Sequence, residues 1–278
     1  MMDLQVSARQ DLLYRQAKFI CNAAISHVQI RHHRASPATD IEETQMSDAP
    51  PAANPIAFEY PLSNLRNSLK LAGHTKIVAI GSSSTVGEGN IEPFPSRLEL
   101  ALRKRYPNQM IDVLNRGVGG QEATNEVLRF KADVLDENPA LVIWQVGTNA
   151  VYRDKDFKLS DVVQAMATGL DELVGLPMDV ILMDLQYTTA VVNPDKIKLA
   201  EQMVSLIATA VADHARTGVN LFRRFALMQS WCNGGVPIAG LIDPNDPSQL
   251  HMSDWATEGV TLALDGAIKQ AVETQAST

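Results

Sequence analysis

The sequence predicts an α/β protein, a three-layer α/β/α sandwich built on a doubly wound, five-stranded parallel sheet. From Tyr60 onward, short apolar runs alternate with helix-periodic stretches. Alternation of this kind implies right-handed crossovers and a parallel sheet covered on both faces. Runs such as Leu141-Val142-Ile143-Trp144 and Val180-Ile181-Leu182-Met183 are apolar at every position, as strands buried on both faces should be. The run Lys76-Ile77-Val78-Ala79-Ile80 ends abruptly in Gly81-Ser82-Ser83-Ser84-Thr85. This reads as a buried strand delivering hydroxyls to a sharp turn at the carboxyl edge of the sheet, where ligands sit in such folds.

The elements follow in order. A short helix around 62–71 precedes the first strand, 76–81. A helix near 95–105 leads to strand 110–115, which runs out into Asn115-Arg116-Gly117-Val118-Gly119-Gly120. A helix near 121–136 and strand 140–146 come next, and that strand ends at Gly147-Thr148-Asn149-Ala150. Helix 160–175, strand 178–185, a long helix 195–216 and a short strand 219–222 complete the sheet. The last helix, 253–272, is entered through Leu250-His251-Met252-Ser253-Asp254-Trp255.

Residues before this body read differently. Leu12, Leu13, Ala17, Ile20, Ala24 and Val28 give residues 1–35 a patchy helical periodicity with basic residues interleaved, most simply a helical arm. A membrane-surface or calmodulin-target helix is the alternative. Residues 35–56 are rich in proline, alanine and acids, the composition of a linker. The expected division is therefore an arm and linker over 1–60 and one domain over 61–278.

Composition narrows the function. The 278 residues are 45% hydrophobic and carry a net charge of -8, with a pI near 5.2. The hydrophobic content suffices for a full core, and the charge argues against a nucleic-acid partner, which needs a basic surface. Cys21 and Cys232 are too few for a disulfide framework and lack metal-ligand spacing. No apolar run approaches the roughly 20 residues that cross a bilayer. The start, Met1-Met2-Asp3-Leu4, lacks the basic-then-apolar order of a signal peptide, so a cytoplasmic location is expected.

The carboxyl ends of the first three strands and the entry to the last helix converge on one crevice in a doubly wound sheet. A serine, a glycine N–H, an asparagine amide and a histidine supply what acyl transfer requires: a nucleophile, oxyanion donors and a base. Each stretch has a plainer reading as well. Ser83 could cap the next helix, Gly119-Gly120 and Asn149 could form turns, and His251 could cap the last helix. A nucleotide-binding reading of Gly81–Gly89 lacks both a Gly-Lys-Ser/Thr and a Gly-x-Gly-x-x-Gly order.

In combination, over about residues 73–272, these stretches resemble the four blocks of the SGNH hydrolases, also called the GDSL esterase/lipase family. The resemblance implies a flavodoxin-like SGNH hydrolase fold. It puts the nucleophile at Ser83, because the family's Gly-Asp-Ser reads Gly81-Ser82-Ser83 here. The Ser83 and Gly120 N–H groups and the Asn149 amide become oxyanion donors, and His251 becomes the base. Where the family reads Asp-x-x-His, the residue three before His251 is Ser248. Asp246, then Asp243, are the carboxylates that could orient the imidazole; otherwise Ser248 or a backbone carbonyl leaves a Ser-His dyad. Ser82 and Ala150 stand where the family has aspartates.

Arg116, Glu122, Tyr152, Arg153, Gln186, Tyr187 and Trp255 are possible substrate contacts, and Gln186 and Tyr187 are expected to line the pocket. The implied function is a metal-independent serine esterase without a cofactor. It would hydrolyse short acyl esters, acetyl first, on a small molecule or a glycan through an acyl-Ser83 intermediate. Two alternatives stay open: a glycan O-acetyltransferase using the same site, and a non-catalytic carbohydrate-binding protein on the same fold.

Overall fold

A computed structural model describes residues 56–71, 73–214 and 217–274. The expected arm over 1–35 and most of the linker lie outside these residues, as does Cys21. The last five residues of that stretch, 56–60, lie against the domain. Ile56 and Phe58 pack on its core, and Tyr60 exchanges hydrogen bonds with the Asn220 side chain at 2.9 and 3.0 Å.

In chain order the elements are α1 (Ser63–Lys70), β1 (His74–Gly81), α2 (Ser83–Val86), α3 (Phe94–Arg105), β2 (Met110–Gly117), α4 (Ala123–Glu126), α5 (Phe130–Asp133) and β3 (Leu141–Gln145). Then come α6 (Thr148–Tyr152), α7 (Leu159–Leu173), β4 (Asp179–Met183), α8 (Thr189–Val192), α9 (Ile197–Asp213), β5 (Asn220–Phe222), α10 (Arg224–Asn233) and α11 (Asp254–Glu273). The strands form one sheet in the order β2-β1-β3-β4-β5, with every pair parallel. The expected α/β architecture is the one observed. The order reverses between β1 and β3, and the loops leaving these two strands diverge there to open a crevice.

Alternation along the strands separates two cores. Val78, Ile80, Val142, Trp144, Val180 and Leu182 face α7 and α9 through Met166, Leu170, Met203 and Ile207. Ile77, Ala79, Ile143, Ile181 and Met183 face the other layer, meeting Leu65 of α1, Leu98 of α3 and Val260 and Leu264 of α11. Each strand residue is thus buried whichever way it points, which is why these runs carry no polar period.

Two segments differ most from expectation, and α2, α6 and α8 add single turns of helix where loops are expected. The stretch read as a helix over 121–136 is broken into α4, a 3-10 turn at Val127–Arg129, α5 and a second 3-10 turn at Leu135–Glu137. Polar side chains with fixed partners pin it. Glu122 and Glu126 are buried, and Arg129 reaches back to the carbonyls of Gly81 and Arg116 and to Gln121. Helix α10 was not expected at all. Phe225 enters one core while Leu227, Met228 and Trp231 enter the other, so its apolar residues form no single stripe for periodicity to detect.

Candidate active site

The turn after β1 presents Ser83 as the first residue of α2. One buried oxygen organises it. The Gln145 Oε1, at the end of β3, accepts from the Ser82 N–H at 3.1 Å, the Ser82 hydroxyl at 3.0 Å, the Ser84 hydroxyl at 3.0 Å and the Thr85 hydroxyl at 3.2 Å. The hydroxyls on either side of Ser83 are therefore committed to the scaffold. Close packing supports the turn from β2, because a Cβ on Gly117 would lie 2.1 Å from the Val86 nitrogen.

Ser83 is bonded elsewhere. Its Oγ lies 3.0 Å from Nε2 of His251. The opposite ring nitrogen, Nδ1, lies 2.9 Å from Oδ2 of Asp246. That carboxylate also accepts from the N–H groups of Ser248, Leu250 and His251 and from the Ser248 hydroxyl. Burial pushes its pKa up, but the His251 N–H, the Ser248 hydroxyl and N–H and the Leu250 N–H outweigh burial and hold it at about 2. Its bond to Nδ1 needs a proton there, which leaves Nε2 as the acceptor facing Ser83.

The loop geometry explains the spacing. Gln249 takes a positive φ of 55°, and the segment folds around Asp246 so that the carboxylate meets the imidazole two residues further back than the expected Asp-x-x-His. Asp243 does not reach the ring; its Oδ1 accepts from the N–H of Asn245 at 2.9 Å. Ser248 touches His251 only through Asp246.

The second and third blocks meet at Asn149. Its amide Nδ2 donates to the Gln121 carbonyl at 2.7 Å. Among the described residues the second amide hydrogen has no protein acceptor. Gly120 has a φ of +76°, a region that favours glycine, and its carbonyl accepts from Arg153 at 3.2 Å.

Beneath these loops lies a polar layer that sequence reasoning missed. Arg224 is fully buried and donates to the Asp184 carbonyl at 3.0 Å, to Gln186 Oε1 at 2.9 Å and to the Ser84 hydroxyl at 3.4 Å. Gln186 is also held by the Thr148 hydroxyl at 2.9 Å and the Leu250 carbonyl at 3.3 Å. Burial pushes the Asp184 carboxyl up to about 7, against the Phe225 N–H and the Arg224 charge. The only cue in the sequence was an arginine opening an otherwise apolar segment.

These contacts correct the expected pocket lining. Gln186 is completely buried, with its amide satisfied by the scaffold, so it supports the crevice from behind. Tyr187 is half-buried and packs edge-on to Phe225 with ring centroids 5.0 Å apart. Of the further possible contacts, Arg116 pairs with Glu137, Trp255 packs edge-on to Trp231 at 5.3 Å and Tyr152 packs against the core. Arg153 stays at the rim beside Gly120. Glu122 is buried and bonded to backbone N–H groups. Ser83 and His251 instead open into a small, shallow depression whose other walls include Gly87, Ile91, Pro93 and Met252.

A family model described as the Non-GDSL lipase-like family matches residues 48–274. The uncharacterized lipoprotein YqeF of Bacillus subtilis (strain 168) is 34% identical over 79 residues, 28% of this chain and 32% of that protein. The matched region thus spans about a third of that relative. Among solved structures, a catalytic mutant of Axe2, an acetylxylan esterase from Geobacillus stearothermophilus, superposes with a TM-score of 0.59 at 18% identity, covering 74% of this chain and 97% of that one. LAE5, an alpha/beta hydrolase enzyme from the metagenome of Lake Arreo, Spain, superposes with a TM-score of 0.56 at 20% identity, covering 72% and 99%. At such identities the likeness is one of fold. The lipase-like family match bears out the expected SGNH-like resemblance; Ser82 stands where the GDSL motif has aspartate.

Proposed function

Since the chain belongs to the Non-GDSL lipase-like family, we propose that it is a serine esterase that hydrolyses short acyl esters, acetyl esters of carbohydrate first among them. One observation carries the reading: the continuous chain Ser83 Oγ, His251, Asp246, with links of 3.0 and 2.9 Å. A serine hydroxyl is a weak nucleophile until a base takes its proton, and this is the arrangement that supplies one.

In the proposed reaction Ser83 Oγ attacks the ester carbonyl carbon while its proton passes to His251 Nε2. The carbonyl oxygen becomes an oxyanion held by the Ser83 and Gly120 N–H groups and the second Asn149 amide hydrogen. Collapse breaks the bond to the alcohol, whose oxygen takes the proton from His251, and leaves acyl-Ser83. Water then repeats the sequence through His251 and releases the acid. Asp246 stays ionised throughout, holds the tautomer and stabilises the transient imidazolium. No step calls on a metal or a cofactor.

The small depression beside Ser83, walled by Ile91, Pro93 and Met252, supports a short acyl group. The fold neighbours described as acetylxylan esterases support a carbohydrate alcohol. The test is release of acetate from p-nitrophenyl acetate and acetylated xylooligosaccharide by the wild type and by Ser83→Ala, with and without an acceptor sugar. Release that depends on Ser83 supports hydrolysis, acetyl recovered on the acceptor supports transfer, and no turnover of any short ester defeats the reading.

A further inference from the structure

Glu122 is a charged side chain that an ester-hydrolysing site does not obviously need, yet it is 1% exposed. It lies two residues after Gly120, and its two oxygens grip the neighbouring loop. Oε1 accepts from the Gly147 N–H at 2.7 Å and Oε2 from the Ala150 N–H at 2.8 Å, bonds that bracket Asn149 in sequence. Oε1 also takes the Ala123 N–H at 3.0 Å, and Asn125 closes a capping box at Glu122. Immediately before Glu122, the Gln121 carbonyl accepts the Asn149 amide at 2.7 Å.

We propose that Glu122 is a positioning residue that locks the Asn149 amide and the Gly120 N–H into one rigid oxyanion cradle. The two donors come from different loops, and a cradle acts only if its donors keep their spacing when charge develops. Glu122 ties them twice. Its side chain holds the turn that carries Asn149, and the backbone just before it holds the Asn149 side chain. Burial pushes its carboxyl up while the N–H groups of Gly147, Ala123, Ala150 and Asn149 pull it down, a conflict a designless surface residue would not sustain.

The inference rests on the acyl-transfer reading, and the test separates the two. Glu122→Gln keeps the size but places an amide N–H2 against one of the two backbone donors. Turnover of p-nitrophenyl acetate is measured for the wild type, Ser83→Ala, Glu122→Gln, Glu122→Asp, Asn149→Ala and the Glu122→Gln/Asn149→Ala double variant. A displaced donor costs on the order of 100-fold in kcat with KM little changed, and Glu122→Asp recovers part of it. In the Asn149→Ala background Glu122→Gln costs at least about tenfold less than it does alone, since only its hold on the Gly120 N–H is left to lose and residues acting as one unit are non-additive.

Additive losses in the double variant would overturn the assignment. So would loss of folding in both Glu122 variants, since the carboxylate would then hold the domain as a whole. Wild type without turnover, or turnover untouched by Ser83→Ala, would instead defeat the acyl-transfer reading.

Discussion

The Asp246 carboxylate meets Nδ1 of His251 at 2.9 Å from five positions upstream, through a loop that wraps its own N–H groups around that carboxylate. The imidazole is thereby presented to Ser83, 168 residues away in sequence, at 3.0 Å. Asp246→Asn keeps the shape but offers Nδ1 an amide in place of an anion. By analogy with the same change in a serine protease triad, kcat for ester hydrolysis is expected to fall about 10⁴-fold, measured at pH 7 with KM little altered.

The same carboxylate sets an acid limit on stability. Its folded pKa, held at about 2, lies below the unfolded value of roughly 3.9. The stability it contributes is therefore fully present above the unfolded value and lost as pH falls through the folded one. Urea unfolding from pH 6 down to pH 1.5 is expected to show wild type losing its margin over Asp246→Asn between about pH 4 and pH 2. An unchanged margin would contradict the assignment of those bonds.

Asp184 behaves in the opposite sense. Burial pushes its folded pKa up to about 7, above the unfolded value, so the folded state keeps a proton that the unfolded chain releases. Its contribution is present below the unfolded value and declines as pH rises to the folded one. Asp184→Asn, which cannot ionise, is expected to gain on wild type between about pH 4 and pH 7 and to hold a constant difference above that, in unfolding measured across the range.

Gln145 has no part in the proposed chemistry, yet four donors from the Ser82–Thr85 turn meet its Oε1. Gln145→Leu leaves those buried groups without their acceptor, at about 1–3 kcal/mol for an unsatisfied group. For a domain of this size that corresponds to a Tm lower by roughly 3–10 °C. Ester turnover should fall with it, because the turn also aims Ser83.

Asn149→Ala removes one of the proposed oxyanion donors while leaving Ser83 and His251 in place. A loss of about 10²–10³ in kcat is expected, or about 3–4 kcal/mol of transition-state stabilisation. An effect confined to KM would mean that the amide binds substrate instead of stabilising charge.

What could be read in advance follows the physics of each element. Strands β1, β3 and β4 are apolar on both faces and bounded by glycine or polar turns, so composition alone marks them. Ser83 and His251 sit at a strand end and a helix entry, where an α/β sheet gathers its loops, so their meeting at 3.0 Å followed from topology. Asp246 was legible as the first of two carboxylates, ahead of Asp243, but not as a fixed partner of His251, because the loop between them turns through a positive φ at Gln249 that no pattern announced. Arg224, Gln145 and Glu122 were not legible as scaffold. A buried polar residue looks like a surface one until its partners are known, and theirs come from strands and loops distant in sequence. Gln186 misled for the same reason: its place after β4 faces the crevice in sequence logic, while its amide turns inward to Thr148 and Arg224.

The most direct test of the central claim is covalent labelling of the whole protein with a fluorophosphonate, followed by peptide mass mapping. The account predicts a single adduct on Ser83, abolished in Ser83→Ala and slowed severely in His251→Ala. An adduct on Ser82 or Ser84, or ester turnover with no serine labelled, would contradict it.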